Sequence, residues 1–136
     1  MRLKTLESKI GYRISRSKDN AFVLRDFLDL SDRDQVMRVM RKLIKEQKLI
    51  KLGQGIYAKT RYSNILNKTI PAQTLPTLAK EAMLKFGVKS YPSSADNAYN
   101  QGRSTQVPTG RLIGVKQRFS RRIAYDGWEV EFERVS

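Results

Sequence analysis

SDRDQVMRVMRKLIKEQKLIKLGQGIYAK, residues 31–59, decides the fold of this chain. Val36, Val39, Met40, Leu43 and Ile44 recur at i, i+3, i+4, i+7 and i+8, the apolar stripe of a helix with a 3.6-residue period. Ser31 is placed to accept a hydrogen bond from a free N–H of the first turn. Asp32 and Asp34 lie where the positive end of a helix favours anions. Arg33 sits in that first turn, and Gln35, Arg38, Arg41, Lys42 and Lys45 occupy the opposite face. A buried stripe backed by a basic one allows a helix to rest on a core while filling a DNA major groove. The same pattern also fits a charged, solvated surface helix.

The residues that follow favour the first reading. Leu49, Ile50 and Leu52 lead into Gly53-Gln54-Gly55, then Ile56, Tyr57 and Ala58: two β-rich runs around a glycine-bracketed turn, which predicts a hairpin. Lys51 and Lys59 flank it, and Gln54 marks its tip. A hairpin beside a basic helix can reach phosphates or the minor groove, or it can simply cap the helix. Helix and hairpin together predict a winged helix-turn-helix, with Ser31, Arg33, Gln35, Arg38, Arg41, Lys42, Lys45, Lys51, Gln54 and Lys59 as candidate DNA contacts.

Charge agrees. The chain carries 27 Lys+Arg against 13 Asp+Glu, a net charge of +14, which favours a polyanionic partner. Residues 1–62 hold net +9 and residues 63–136 net +5, so the excess concentrates where the helix and hairpin lie. No apolar run approaches the length of a membrane span, and no signal-peptide pattern is visible, so a cytoplasmic protein is expected. Without cysteine, disulfides and thiolate metal sites do not arise.

Around the central stretch the pattern is α+β. Leu3, Leu6, Ile10 and Ile14 predict a first helix over 2–17, and Ser17-Lys18-Asp19-Asn20 a turn. Ala21 to Leu24 reads as a short strand that could pair with the hairpin. Arg25 to Leu30 reads as a short helix with Phe27, Leu28 and Leu30 inward. The DNA-binding domain is thus expected over 1–62. Residues 63–73, polar and without period, read as a linker, and 74–136 as a second α+β domain. There, Leu75, Leu78, Ala79, Ala82, Met83 and Phe86 predict a helix closed by Gly87. Pro92-Ser93-Ser94 opens a shorter one, and Gly102 to Gly110 forms a polar loop. Leu112 to Val115, Arg121 to Tyr125 and Trp128 to Arg134 read as strands, the last two joined by Asp126-Gly127.

That final hairpin predicts which charges are occupied. Its register sets Tyr125 opposite Trp128, Ile123 opposite Val130 and Arg121 opposite Phe132, with Ala124 opposite Glu129 and Arg122 opposite Glu131 on the other face. Arg122 is then a structural partner, and Glu129, Glu131 and Glu133 form an acidic outer row that repels phosphate. Arg103, Arg111, Lys116 and Arg118 remain either partner-binding or ordinary surface cations.

The residues of common catalytic sites are missing. There is no histidine or cysteine, no glycine-rich phosphate loop and no nucleophile–base arrangement. Asp26 and Asp29 lie three apart and read as the solvent face of a short helix rather than a paired-carboxylate site. A binding protein without cofactor or metal is expected, not an enzyme.

The first half, RISRSKDNAFVLRDFLDLSDRDQVMRVMRKLIKEQKLIKLGQGIYAK, resembles the N-terminal winged helix of the AbiEi-type antitoxins. The second half, SSADNAYNQGRSTQVPTGRLIGV followed by FSRRIAYDGWEVEFER, is similar to that family's C-terminal region. Ser104-Thr105-Gln106-Val107-Pro108 is the most specific part of the likeness. The resemblance implies a two-part role. The first domain would repress its own toxin–antitoxin operon at an inverted repeat. The second would antagonise a nucleotidyltransferase-like toxin, without a stable complex, through Arg103, Ser104, Thr105, Gln106, Arg111 and Arg118. A regulator that kept only the repression fits the same residues, and two other classes stay open on them. One is an RNA-binding module stacking bases on Tyr57, Tyr62, Tyr91 and Tyr99; the other is a protein-interaction adaptor built on the C-terminal sheet.

Overall fold

A computed structural model describes residues 4–108 and 110–136. Leu3 of the expected first helix and Thr109 of the expected polar loop lie outside the described residues. The fold is α+β and divides into two compact units, Met1–Gln73 and Thr74–Ser136.

In the first unit, α1 (Leu6–Arg16) starts at Thr5, whose side chain accepts from the Ser8 N–H at 3.0 Å, and it buries Ile10 and Ile14. The strand β1 (Ala21–Val23) follows, then a single 3₁₀ turn, Leu24–Phe27. Leu24 and Phe27 are buried there, but Leu28, expected inward, is exposed because it lies past the end of the turn. The helix α2 (Arg33–Lys45) is capped by Asp32, not by Ser31: the Asp32 carboxylate accepts from the Gln35 N–H at 2.9 Å. Val36, Val39, Met40 and Leu43 enter a core shared with Ile10, Ile14, Phe22, Phe27, Leu49 and Tyr57, with Ile44 at its margin.

Two strands continue from α2. β2 (Leu49–Gly53) turns through Gln54-Gly55 into β3 (Ile56–Ser63). The turn needs Gly55, whose φ of 71° lies in the left-handed region. β3 pairs antiparallel with β2 on one side and with β1 on the other, Phe22 facing Tyr57 and Val23 facing Ile56. The expected linker over 63–73 is not one. Residues Lys68–Pro71 form β4, which pairs with the far end of β3 from Thr60↔Pro71 to Ser63↔Lys68. The Lys59 N–H donates to the Asn20 carbonyl and the Lys59 carbonyl accepts from the Ala72 N–H, both at 2.8 Å. Both groups of one residue point to the same side of a strand. β1 and β4 therefore follow one another along the same edge of β3.

The second unit opens with α3 (Leu75–Lys85), capped by Thr74. It closes at Gly87, with the Val88 N–H donating to Met83 O and the Gly87 N–H to Leu84 O. A capping box of Ser93 and Asp96 opens α4 (Ser94–Asn100). The strands here are shorter than expected. β6 (Ala124–Tyr125) and β7 (Trp128–Glu129) make the Asp126-Gly127 hairpin in the expected register. Beyond buried Val130 the chain leaves that ladder, and β8 (Glu131–Arg134) pairs parallel with β5 (Leu112–Val115). The expected partners change accordingly. Arg122 meets Glu129, at 3.1 Å, rather than Glu131. Phe132 packs edge-on against Phe119, while Arg121 lies over the Phe86 ring at 4.1 Å. Glu133 leaves the acidic row: its carboxylate accepts from the Ser94 N–H and hydroxyl, both at 2.7 Å.

Candidate nucleic-acid interface

The exposed face of α2 is built by the same spacing that buries its other side. Arg33, Gln35, Arg38, Arg41, Lys42 and Lys45 all lie exposed on this helix. Arg38 and Lys45 have no ion pair or hydrogen bond among the described residues. Arg33 and Arg41 are close enough to Tyr57 to act on its hydroxyl. Burial pushes that phenol up from its ordinary value, and the two guanidinium groups pull against the rise. They thereby join the α2 face to the middle of the hairpin, where Tyr57 faces Lys51 across the β2–β3 ladder.

Two expected contacts are engaged elsewhere. Lys42 donates to the Glu7 carboxylate on α1 at 2.7 Å, and this partner holds its ammonium pKa up. Lys59 donates to the Ser17 carbonyl at 2.8 Å and ties β3 to the end of α1. Lys51 and Gln54 are exposed, on β2 and at the turn. Ser31 is half-buried beside the cap it does not form. The structure thus gathers Arg33, Gln35, Arg38, Arg41, Lys45, Lys51 and Gln54 on α2 and the adjoining hairpin. Lys42 and Lys59 serve the packing of α1.

A pair of hydrogen bonds fixes the end of α2. Gln47 adopts the left-handed conformation at φ 62° and closes the helix, with the Lys48 N–H donating to Leu43 O. The Gln47 carbonyl accepts from the Thr60 hydroxyl at 2.9 Å, and its side-chain oxygen accepts from the Thr69 hydroxyl at 3.2 Å. The β3–β4 hairpin is therefore fastened to the helix that carries the basic face. Sequence reading missed this element. Its only signal was Thr69-Ile70 ahead of Pro71, too short a β run to outweigh the polar residues around it.

Asp26 and Asp29 are both engaged locally. Asp26 accepts from the Val23 N–H at 3.0 Å, and Asp29 pairs with Arg13. Among the described residues no group of three or more acidic side chains converges on a point that could hold a metal ion.

In the second unit, the loop after α4 begins at Gly102, φ 74°, where the Arg103 N–H returns to Ala98 O. Arg103, Thr105 and Gln106 are exposed, and Val107 is 65% exposed. The Ser104 hydroxyl accepts from the Gln106 N–H at 3.2 Å and bends the loop back. Gly110 closes it against Pro76, which would lie 3.0 Å from any added Cβ. Arg111 stacks over Trp128 at 4.5 Å and Lys116 over Tyr91 at 4.4 Å, while Arg118 is exposed. The loop and Arg111 are brought to one part of the chain, and Arg111 is already held by an aromatic ring. No helix among the described residues is long and apolar enough to cross a membrane.

A family model matches residues 9–135, nearly the whole of this architecture. The chain belongs to a family of unknown function, DUF6088. No curated protein and no solved structure matches it. The match runs through both units, so the α2 face and the loop after α4 are both parts of the DUF6088 pattern.

Proposed function

We propose that the first unit is a winged helix-turn-helix that binds double-stranded DNA, with α2 in the major groove and the β2–β3 hairpin as its wing. The observation that carries this reading is the two-sided character of α2. Val36, Val39, Met40 and Leu43 seat it in the core, while Arg33, Gln35, Arg38, Arg41 and Lys45 stand outward along its length. Arginine and glutamine on such a face can read base edges, and lysine and arginine can neutralise phosphates. With the AbiEi-type resemblance, the reading extends to an antitoxin that represses its own operon and counteracts a nucleotidyltransferase-like toxin through the loop after α4.

The test is binding of the full chain to the duplex upstream of its own gene, measured at several stated salt concentrations with a structured RNA as competitor. A specific complex that weakens log-linearly with salt and survives the RNA supports the proposal. Preference for the RNA, or no duplex binding at any salt, overturns it.

A further inference from the structure

The tip of the β3–β4 hairpin is the least protected apolar surface of the first unit. Ile65 is 96% exposed, Leu66 58% and Tyr62 56%. This tip is not slack. The Ser63 hydroxyl accepts from the Leu66 N–H at 3.1 Å, Tyr62 bonds to the Asn67 side chain, and Asn67 turns the chain at φ 55°. A built hairpin holds two bare aliphatic side chains outward, with Arg61 and Lys68 just behind them.

The surroundings select the occupant. Arg61 and Lys68 are the charged residues of the β3–β4 hairpin from Thr60 to Pro71, and residues 47–73 contain no Asp or Glu, so the ground behind Ile65 is complementary to a polyanion. β3 spans Ile56–Ser63, about 23 Å at ~3.3 Å per residue, and carries the wing tip at Gln54 and the second tip at Ile65 at its opposite ends. Gln47 holds the β3–β4 hairpin in register with α2. Asn64 and Asn67 at the tip supply amide groups of the kind that meet minor-groove acceptors, and an aliphatic side chain ahead of flanking cations can wedge into a base step.

We infer that Asn64–Asn67 is a second DNA-binding element, which enters the minor groove and drives Ile65, backed by Leu66, against a base step so that the duplex kinks. The inference rests on the double-stranded DNA reading of the first unit. It adds a minor-groove site and a deformation of the DNA that α2 and the wing do not require.

The experiment uses the full chain and a short duplex from the region upstream of its gene. Donor and acceptor dyes at the ends report bending, and 2-aminopurine at the flank reports unstacking. The wild type is expected to kink the duplex by roughly 20–90° and brighten the 2-aminopurine. The Ile65→Ser/Leu66→Ser variant is expected to bind about tenfold more weakly, with the duplex left straight. Lys68→Ala is expected to make the salt dependence shallower by about one phosphate contact. Since Ile65 and Leu66 are exposed, thermal melts of the double variant should match the wild type. Binding and bending unchanged in the double variant overturns the wedge while leaving the DNA reading intact. So does a variant that alters only self-association or binding to anionic vesicles. A wild type that binds no duplex overturns both.

Discussion

The guanidinium of Arg13 on α1 grips both carboxylate oxygens of Asp29, at 2.7 and 2.9 Å, and also donates to the Asp26 carbonyl at 2.7 Å. One side chain thereby fastens the first helix to the segment that leads into α2. The hydrogen bond from Arg13 holds the Asp29 carboxyl below its ordinary 3.8, and the same bond raises Arg13. A carboxylate depressed in the folded state contributes stability above its unfolded pKa, and that contribution is lost as pH falls through the folded value. Asp29→Asn is therefore expected to lower the melting temperature at neutral pH and to flatten its fall in acid. Melts of both proteins across that range check this; parallel acid limbs would refute it.

Arg38 and Arg41 differ from Lys42 in what holds them. Replacing either arginine by alanine is expected to cost about 1–3 kcal/mol of DNA affinity where it reads a base, and a smaller, sequence-independent loss where it meets phosphate. Lys42→Ala is expected to leave operator preference unchanged and to reduce stability, because its ammonium belongs to Glu7. Binding titrations against wild-type and scrambled duplexes separate the two. An Arg38→Ala/Arg41→Ala protein with wild-type affinity would remove α2 from the groove.

A fragment of the first unit must include β4. Residues 1–73 are expected to fold and bind the duplex. Residues 1–62 expose the Arg61 edge of β3 and lose the Thr69 hydrogen bond to Gln47, so this fragment should melt earlier. Circular dichroism melts and duplex titrations of the two fragments provide the comparison.

Gly114 is a steric necessity of the second unit. An added Cβ would lie 2.7 Å from the Tyr91 carbonyl oxygen and 2.8 Å from that of Pro92, across the bridge Tyr91↔Gly114. Gly114→Ala is expected to destabilise the chain by about 1–3 kcal/mol, as overpacking against fixed backbone does. Denaturant unfolding measures it, and an unchanged midpoint would show that the strand can shift.

In a toxin co-expression assay, Gln106→Ala is expected to abolish growth rescue while thermal melts stay at the wild-type value, since among the described residues it is the backbone N–H of Gln106, kept in the variant, that bonds to Ser104. Arg111→Ala should abolish rescue too, with a stability loss of about 0.5–1 kcal/mol from the lost stacking on Trp128. Full rescue by both folded variants would reduce the loop to a connector.

The helices were legible in the sequence through near-neighbour spacing, as Val36 to Leu43 and Leu75 to Phe86 show, whereas the cap of α2 fell to Asp32 and not to Ser31. The β2–β3 turn was legible because Gly55 must adopt a positive φ. Parallel pairing of β5 with β8 was not legible. Leu112 and Glu131 are partners set by tertiary packing around Val130, and no local pattern encodes that choice. At the candidate site, spacing placed Arg38 and Arg41 outward but could not reveal that Lys42 reaches Glu7 or that Lys59 reaches Ser17. Those contacts join residues 35 and 42 positions apart. β4 was hidden for a related reason: its stability comes from β3 and Gln47 rather than from its own four residues.

The tandem edge formed by β1 and β4 has a consequence for colloidal behaviour. An open strand edge is a template on which other chains can add. Here that outer margin is broken into two strands of three and four residues, and Pro71, with no N–H of its own, removes a donor from the second. The long strand β3, with its aliphatic and aromatic run, is flanked by β1 and β2 along Ile56–Ala58 and by β4 along Thr60–Ser63. The chain thus holds out a bare isoleucine at a hairpin tip beside an edge that is short and interrupted.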